Sequence, residues 1–281
     1  MKNNSFDSFS KKRVSYILIT KNKARYLEKT LKQLKKVKKG VDELIVIDGA
    51  SSDKTPEILR RYRATIDLLV SEEDLGGTQA ANKGILLAHG KYVKEMTDDD
   101  YFDWLEMEKA ISLMEKHVEI DFLVCGGMKR FKRKRWPFYV PEGAIYGGNL
   151  ENIFKYGGCG LGFIIRRNSI ALIGLYPQNH IVSDLAYVVQ AVSLGANVKF
   201  CRLNVFDHEI FKHSRMVMQE KKMTNDVSDL IKEYCSTFFY IKYKYNKIFQ
   251  KVVDTFPLIK YLIKLVKNNK KYEIVWDGGF S

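Results

Sequence analysis

Val14-Ser15-Tyr16-Ile17-Leu18-Ile19-Thr20 is a short, nearly continuous apolar run rich in β-branched residues. A run of this length without polar alternation predicts a strand covered on both faces, the kind found in parallel sheets. Just downstream, Ala24 to Leu34 carries Leu27, Leu31 and Leu34 at helical spacing. The alternation then repeats. Glu43 to Ile47 predicts a second strand, ending at Asp48-Gly49. Thr55-Pro56-Glu57 predicts a helix start, with Thr55 as N-cap, proline at the first helical position and Glu57 in the first turn. Ile66 to Val70, Tyr92 to Met96 and Phe122 to Cys125 predict further strands. Ala80 to Ala88, closed by Gly90, and Leu105 to Lys116 predict helices. Strands separated by helices of this length require right-handed crossovers, hence an α/β fold with a mostly parallel sheet flanked by helices.

Beyond Gly126 the pattern loosens. Gly162 to Arg166 predicts a short strand. Ser183 predicts an N-cap for a helix bearing Leu185, Val188, Val189 and Val192, stopped by Gly195, and Asn197 to Cys201 is strand-like. From Ser214 to about Asn269 the chain reads as helical, basic and aromatic, so residues 216–281 are expected to form a C-terminal extension on a domain spanning 1–215.

The 281 residues hold 47 Lys and Arg against 33 Asp and Glu, a net charge of +14, and 46% are hydrophobic. That apolar content excludes wholesale disorder. No apolar run is long enough for an ordinary membrane-spanning helix. Met1 to Arg13 lacks the apolar run of a signal peptide, so a cytoplasmic location is expected. Cys125, Cys159, Cys201 and Cys235 form no CxxC pair, which argues against a zinc site or a disulfide framework. The positive charge calls for an anionic partner: nucleic acid, a phosphate-bearing ligand or an anionic membrane.

Three consecutive carboxylates, Asp98-Asp99-Asp100, follow the fourth predicted strand. Such a run is a solvated loop unless a cation offsets it, and hard oxygen donors suit Mg²⁺ or Mn²⁺ bridged to substrate phosphates. Asp48 and the Thr20-Lys21-Asn22 turn also follow strands, and ligands of parallel α/β sheets bind at the carboxyl ends of strands. Asp184 sits at a predicted helix start, where the dipole alone favours an acid by about 0.3–1 kcal/mol. The same dipole weakens it as a base unless burial opposes it. His208 and His213 lie near carboxylates without a decisive ligand spacing. Lys129 to Arg135, followed by Trp136, Phe138 and Tyr139, fits nucleic-acid phosphates, an anionic membrane surface or a solvated loop. The C-terminal extension, with lysines between aromatics, fits a membrane interface or a helix packed on the domain.

Taken in order, several stretches resemble the GT-A-fold, family 2 glycosyltransferases of bacterial surface polysaccharide synthesis. These are Val14 to Asn22, Leu44 to Thr55 with its Asp-Gly-x-Ser-x-Asp-x-Thr pattern, Asp74 to Gly84 with Asn82-Lys83-Gly84, and Thr97 to Asp100. Val182-Ser183-Asp184-Leu185 is a weaker piece. The resemblance covers about residues 12–215. It implies a Rossmann-like GT-A sheet with a nucleotide-binding half at about 12–125 and an acceptor half at about 126–215. It further implies inverting transfer of a sugar from a nucleotide-sugar donor to a glycan or lipid-linked hydroxyl. By similarity, Ile19, Thr20, Asn22, Asp48, Lys83, Asp98 and Asp99 would contact the donor. Asp98 and Asp100, with His208, would hold Mn²⁺ or Mg²⁺, and Asp184 would be the general base. Enzymes of this class often elongate lipid-linked or capsular glycans at the inner face of the membrane, which agrees with the expectation of a basic peripheral protein.

The chain departs from the family pattern at three places. Lys21 stands where an aromatic is common, Gly49 where a second Asp often reads the base, and Thr97 where a further acid is common. The base of the donor is therefore left open. A nucleotidyltransferase on a similar scaffold would carry a Gly-rich loop after the first strand, and Thr20-Lys21-Asn22-Lys23-Ala24 has no glycine. A nucleic-acid-binding protein would explain the charge but not three carboxylates at a binding rim, so nucleic acid is not the expected partner.

Overall fold

The apolar run becomes β1 (Val14–Thr20), buried throughout except at Ile19. After it come α1 (Ala24–Val37), β2 (Glu43–Asp48), α2 (Thr55–Arg61), β3 (Leu68–Ser71), α3 (Gly77–Leu87), β4 (Tyr92–Thr97), β5 (Tyr101–Phe102) and α4 (Trp104–Lys116). The second half holds β6 (Phe122–Phe131), β7 (Lys134–Phe138), β8 (Tyr146–Gly147), β9 (Phe163–Arg166), α5 (Ile170–Ile173), α6 (Ser183–Ser193), β10 (Val198–Glu209), α7 (Glu220–Tyr234) and α8 (Thr237–Thr255). The computed structural model describes residues 12–131, 134–138, 146–147, 150, 153–154, 158–210 and 219–255. The chain divides into two compact units, Met1–Asp226 and Val227–Ser281. No helix among the described residues is long and apolar enough to cross a membrane.

The strands form one sheet in the order β3-β2-β1-β4-β9-β6-β10-β5, with β7 branching from β6 and β8 from β10. β3, β2, β1 and β4 run parallel, as do β6 and β10. β9 is antiparallel to both neighbours, β4 and β6, and so joins the two parallel blocks. One face of the sheet buries Tyr16 and Leu18 of β1 and Leu44 and Val46 of β2. These residues share a core with Leu27, Leu31 and Leu34 of α1 and Met107, Ile111 and Met114 of α4. Full burial of each such side chain contributes about 1.5–3 kcal/mol. The opposite face receives α3 so closely that a Cβ at Gly84 would overlap Ile17.

Several boundaries differ from the sequence expectation, each for a local reason. Thr55 is the first helical residue rather than the N-cap of α2. Asp53 accepts its amide at 2.8 Å, and the Thr55 hydroxyl accepts from the Lys23 amide at 3.1 Å. Ser183 likewise begins α6, and Asp226 accepts the amide of the preceding Val182 at 3.0 Å. The third strand starts at Leu68 rather than Ile66, because Arg63–Thr65 turns as a 3-10 helix. β6 runs past Cys125 to Phe131, since both β10 and β7 offer it ladders through the basic stretch.

A charged clamp closes the bottom of the sheet. Arg13 donates to both Asp42 oxygens at 2.9 Å and to both Glu108 oxygens at 2.7 and 2.8 Å, and the Asp42 side chain is 1% exposed. The Arg13 guanidinium pulls the Glu108 pKa down to about 2. Replacing Arg13 with Ala is expected to cost about 2–3 kcal/mol, because Asp42 is left buried without its cation, keeping only the Lys39 amide. A depressed acid contributes stability above its unfolded pKa, about 4.3, and loses it as pH falls toward 2. Urea unfolding of the two proteins should therefore give a gap that is full at pH 7 and narrowed at pH 3.

Candidate active site

The carboxyl ends of the first strands adjoin, because Thr20 pairs with Asp48, Ile19 with Thr97 and Asp48 with Ser71. The acidic triplet follows β4 at this rim, and each of its carboxylates has a different partner. Asp98, 4% exposed, accepts from the Thr20 hydroxyl at 2.5 Å. Burial lifts its pKa to about 7. Asp99 pairs with Lys23 at 2.5 Å. Burial alone would lower the Lys23 pKa, but the Asp99 carboxylate outweighs it and the net shift is upward. Asp100 accepts from the Thr97 hydroxyl at 2.5 Å and from the Glu209 amide at 3.0 Å, and lies 2.9 Å from His208 Nδ1.

The meeting of Asp100 with His208 depends on an irregular strand. The β10–β6 register slips between Cys201 and Asn204 and again before Phe206. Beyond the slips, Phe206 and Asp207 pair with β5, the short strand that follows the triplet. Bulges bend a strand and re-aim its side chains, and here they carry His208 to Asp100. Burial alone would lower the His208 pKa, but Asp100 overrides it, so the imidazole pKa is raised. Among the described residues no three His, Cys, Asp or Glu side chains converge as a self-sufficient metal site. Asp100 and His208 do set one oxygen and one nitrogen donor side by side. That set fits a divalent cation whose remaining ligands are phosphate oxygens or water. His213 lies outside the described residues.

The other predicted donor contacts are braced within the rim. Asn22, at φ +55°, accepts from the amides of Ser52 and Asp53 at 2.8 and 3.3 Å, tying the β1 turn to the β2 turn. Asp48 is fully buried, with Ser51 and Ser71 hydroxyls at 2.5 and 2.6 Å on its two oxygens. Lys83 is paired with Glu72 at 2.8 Å. Ile19 is half-buried at the same edge. Gly49 has a steric cause: a Cβ there would overlap the Asp74 carboxylate, which reaches in from the β3–α3 loop and faces Lys21 at 3.6 Å.

Asp184 stands apart from the triplet, in the first turn of α6. Its Oδ2 accepts from the Gly160 amide at 2.7 Å, and a Cβ on Gly160 would come within 3.2 Å of both its oxygens. Asn82 of α3 brackets Tyr176, donating to its carbonyl and accepting from its amide, both at 2.9 Å. Tyr176 in turn stacks on Tyr187 of α6, with ring centroids 4.0 Å apart. The pKa of the half-buried Cys159 thiol is raised by burial first, and then by the charges of Asp184 and Asp100. Tyr176 carried no sequence signal of its own, and Gly160 only that of a loop glycine. Asn82, which holds Tyr176, lies within a quoted motif.

The basic stretch is partly neutralised. Arg130 of β6 and Arg135 of β7 fork onto the two oxygens of Asp207 at 2.9 and 2.7 Å. Lys129 is half-buried, and the loss of solvent lowers its pKa.

A model of the glycosyl transferase family 2 matches residues 15–171. The chain is 29% identical over 144 residues to the teichuronic acid biosynthesis glycosyltransferase TuaG of Bacillus subtilis, covering 50% of this chain and 57% of that protein. It spans about half the length of the curated relatives it matches first. A crystal structure of Staphylococcus aureus TarS with UDP-GlcNAc superposes with a TM-score of 0.62 at 18% identity, over 78% of this chain and 66% of that one. The mannosyltransferase PcManGT of Pyrobaculum calidifontis, with GDP-Man and Mn²⁺, gives 0.60 at 18% identity, over 79% and 63%. At such identities the structural matches establish the shared GT-A fold.

Proposed function

The chain belongs to glycosyl transferase family 2, and from that premise we propose that it moves a sugar, with inversion, from a nucleotide-sugar donor to a hydroxyl of a glycan or lipid-linked acceptor. The observation that carries this reading is the presence of two separate acidic stations: Asp98 and Asp100, the latter beside His208, after β4, and Asp184 at the start of α6. Inverting displacement needs both. Asp184 takes the proton of the acceptor hydroxyl as its oxygen bonds to the anomeric carbon. The bond from that carbon to the diphosphate oxygen breaks, and its electron pair leaves with the nucleoside diphosphate. Asp100 and His208, with Asp98 beside them, would hold a Mn²⁺ or Mg²⁺ ion that offsets the charge gathering on the departing diphosphate.

Thr20, Asn22 and Asp48 hold the turns on which the nucleoside would rest. The relatives fit this reading: TuaG is named for teichuronic acid biosynthesis, and the two structural neighbours carry UDP-GlcNAc and GDP-Man. The test is a panel of UDP-, GDP- and dTDP-sugars with Mn²⁺, scored for release of nucleoside diphosphate with and without glycan acceptors. One member of the panel should turn over, with release stimulated by an acceptor. Nucleoside triphosphate consumption with pyrophosphate release, and no turnover of any sugar nucleotide, would mark a nucleotidyltransferase instead.

A further inference from the structure

We infer that Lys94 of β4 is a positioning residue for Asp184: its ammonium pins the Gly160–Gly162 turn to β4, and the turn fixes where the base stands. This rests on the reading of Asp184 as the base.

The β4–β9 ladder is short. It joins Tyr92 to Arg166 and Val93 to Ile165, and no further pair follows along β4. Directly before β9 the chain makes a 3-10 turn, Gly160–Gly162. Beyond Val93 a side chain ties β4 to this segment. Lys94, fully buried, donates to the Leu161 carbonyl at 2.7 Å and to the Glu95 backbone carbonyl at 2.6 Å. Its Nζ also lies 5.3 Å from the centre of the Phe102 ring. The ammonium thus stands in for ladder hydrogen bonds and bridges strand to turn.

The turn is seated closely on its other sides. A Cβ at Gly162 would overlap the Cys125 carbonyl of β6. At the first residue of the turn, the Gly160 amide donates to Asp184 Oδ2 at 2.7 Å. One connected path therefore runs from β4 through Lys94, Leu161 and Gly160 to Asp184. The acidic triplet follows the end of the same strand, so Lys94 also links the two acidic stations.

A cation buried among carbonyls and an aromatic ring is costly beside an apolar residue of the same length. What the lysine adds is a donor for a buried carbonyl of the turn. Without it the Leu161 carbonyl loses that partner, and a turn that shifts to find another carries Gly160 and Asp184 with it. Misplacing a reacting group by about 1 Å costs roughly 100-fold in rate.

The test is a double-mutant cycle on transfer, run with the sugar nucleotide and acceptor that the panel selects. Lys94→Met should lower kcat about 10–100-fold. Donor KM, and the tightening of nucleoside diphosphate binding by Mn²⁺, should stay unchanged. In an Asp184→Asn background the same substitution should cost less than about threefold, because the group it positions is already gone. Equal losses in the two backgrounds mark a general structural role and overturn the inference, as does a Lys94→Met enzyme with wild-type kcat. Should Lys94→Met not fold, Lys94→Gln, which keeps an N–H donor on a shorter arm, runs the same cycle against the same outcomes. Hydrogen exchange at the Gly160 amide gives a readout without substrate. It should quicken about tenfold in either variant, and an unchanged rate overturns the inference. If Asp184→Asn alone transferred sugar at the wild-type rate, the base assignment itself would fail, while exchange at Gly160 would still report the tie that Lys94 makes.

Discussion

Asp184→Asn should lower transfer by about 10²–10⁴-fold, the usual contribution of a positioned general base, while leaving nucleotide binding unchanged. The substitution preserves shape and removes proton affinity. The Asn carbonyl can still accept from the Gly160 amide, so the start of α6 stays fixed and thermal unfolding should be close to wild type. The donor contacts lie on the other strand ends, so nucleoside diphosphate binding, read by calorimetry, should not move. An Asn variant with full activity would remove Asp184 from the reaction.

Asp100→Asn should produce a loss of different character. Transfer is expected to fall by about 10²–10³-fold, and the tightening of nucleoside diphosphate binding by Mn²⁺ should disappear with it. Asp100 is where the acidic turn meets β10, through Thr97, His208 and the Glu209 amide. With its carbonyl in place of Oδ1, Asn still accepts from the Glu209 amide but no longer offers a carboxylate beside the imidazole. Titrating the diphosphate with and without Mn²⁺ separates this variant from Asp184→Asn, which should keep the metal effect. If Asp100→Asn retained it, the cation would have to be held elsewhere.

The strands and helices of the first half were legible because local signals agree there. β1 is apolar throughout, α1 carries leucines at helical spacing, and each strand is followed by a polar turn. The adjoining strand ends were legible for the same reason, since Thr20 and Asp48 end strands and Asp98 directly follows one. What was not legible depends on contacts distant in sequence. The strand character of Met128 to Phe131 comes from ladders with β7 and β10, and Arg130 and Arg135 find Asp207 more than 70 residues away. Glu95 looked like any polar residue in a strand, and only the burial of its Oε2 without a hydrogen-bond partner sets it apart. Gly49 read as a missing acid, whereas the space beside it belongs to the Asp74 carboxylate.

The slipped ladder of β10 also decides which residue reaches the acidic turn. Between Cys201 and Asp207 the strand takes six steps while β6 takes three, from Cys125 to Met128. Continued without slips from Cys201 opposite Cys125, the ladder would set Val205 opposite Lys129, the place that His208 holds. The three additional residues thus exchange a valine for an imidazole beside Asp100, and a chain shortened by those three would present an apolar side chain there.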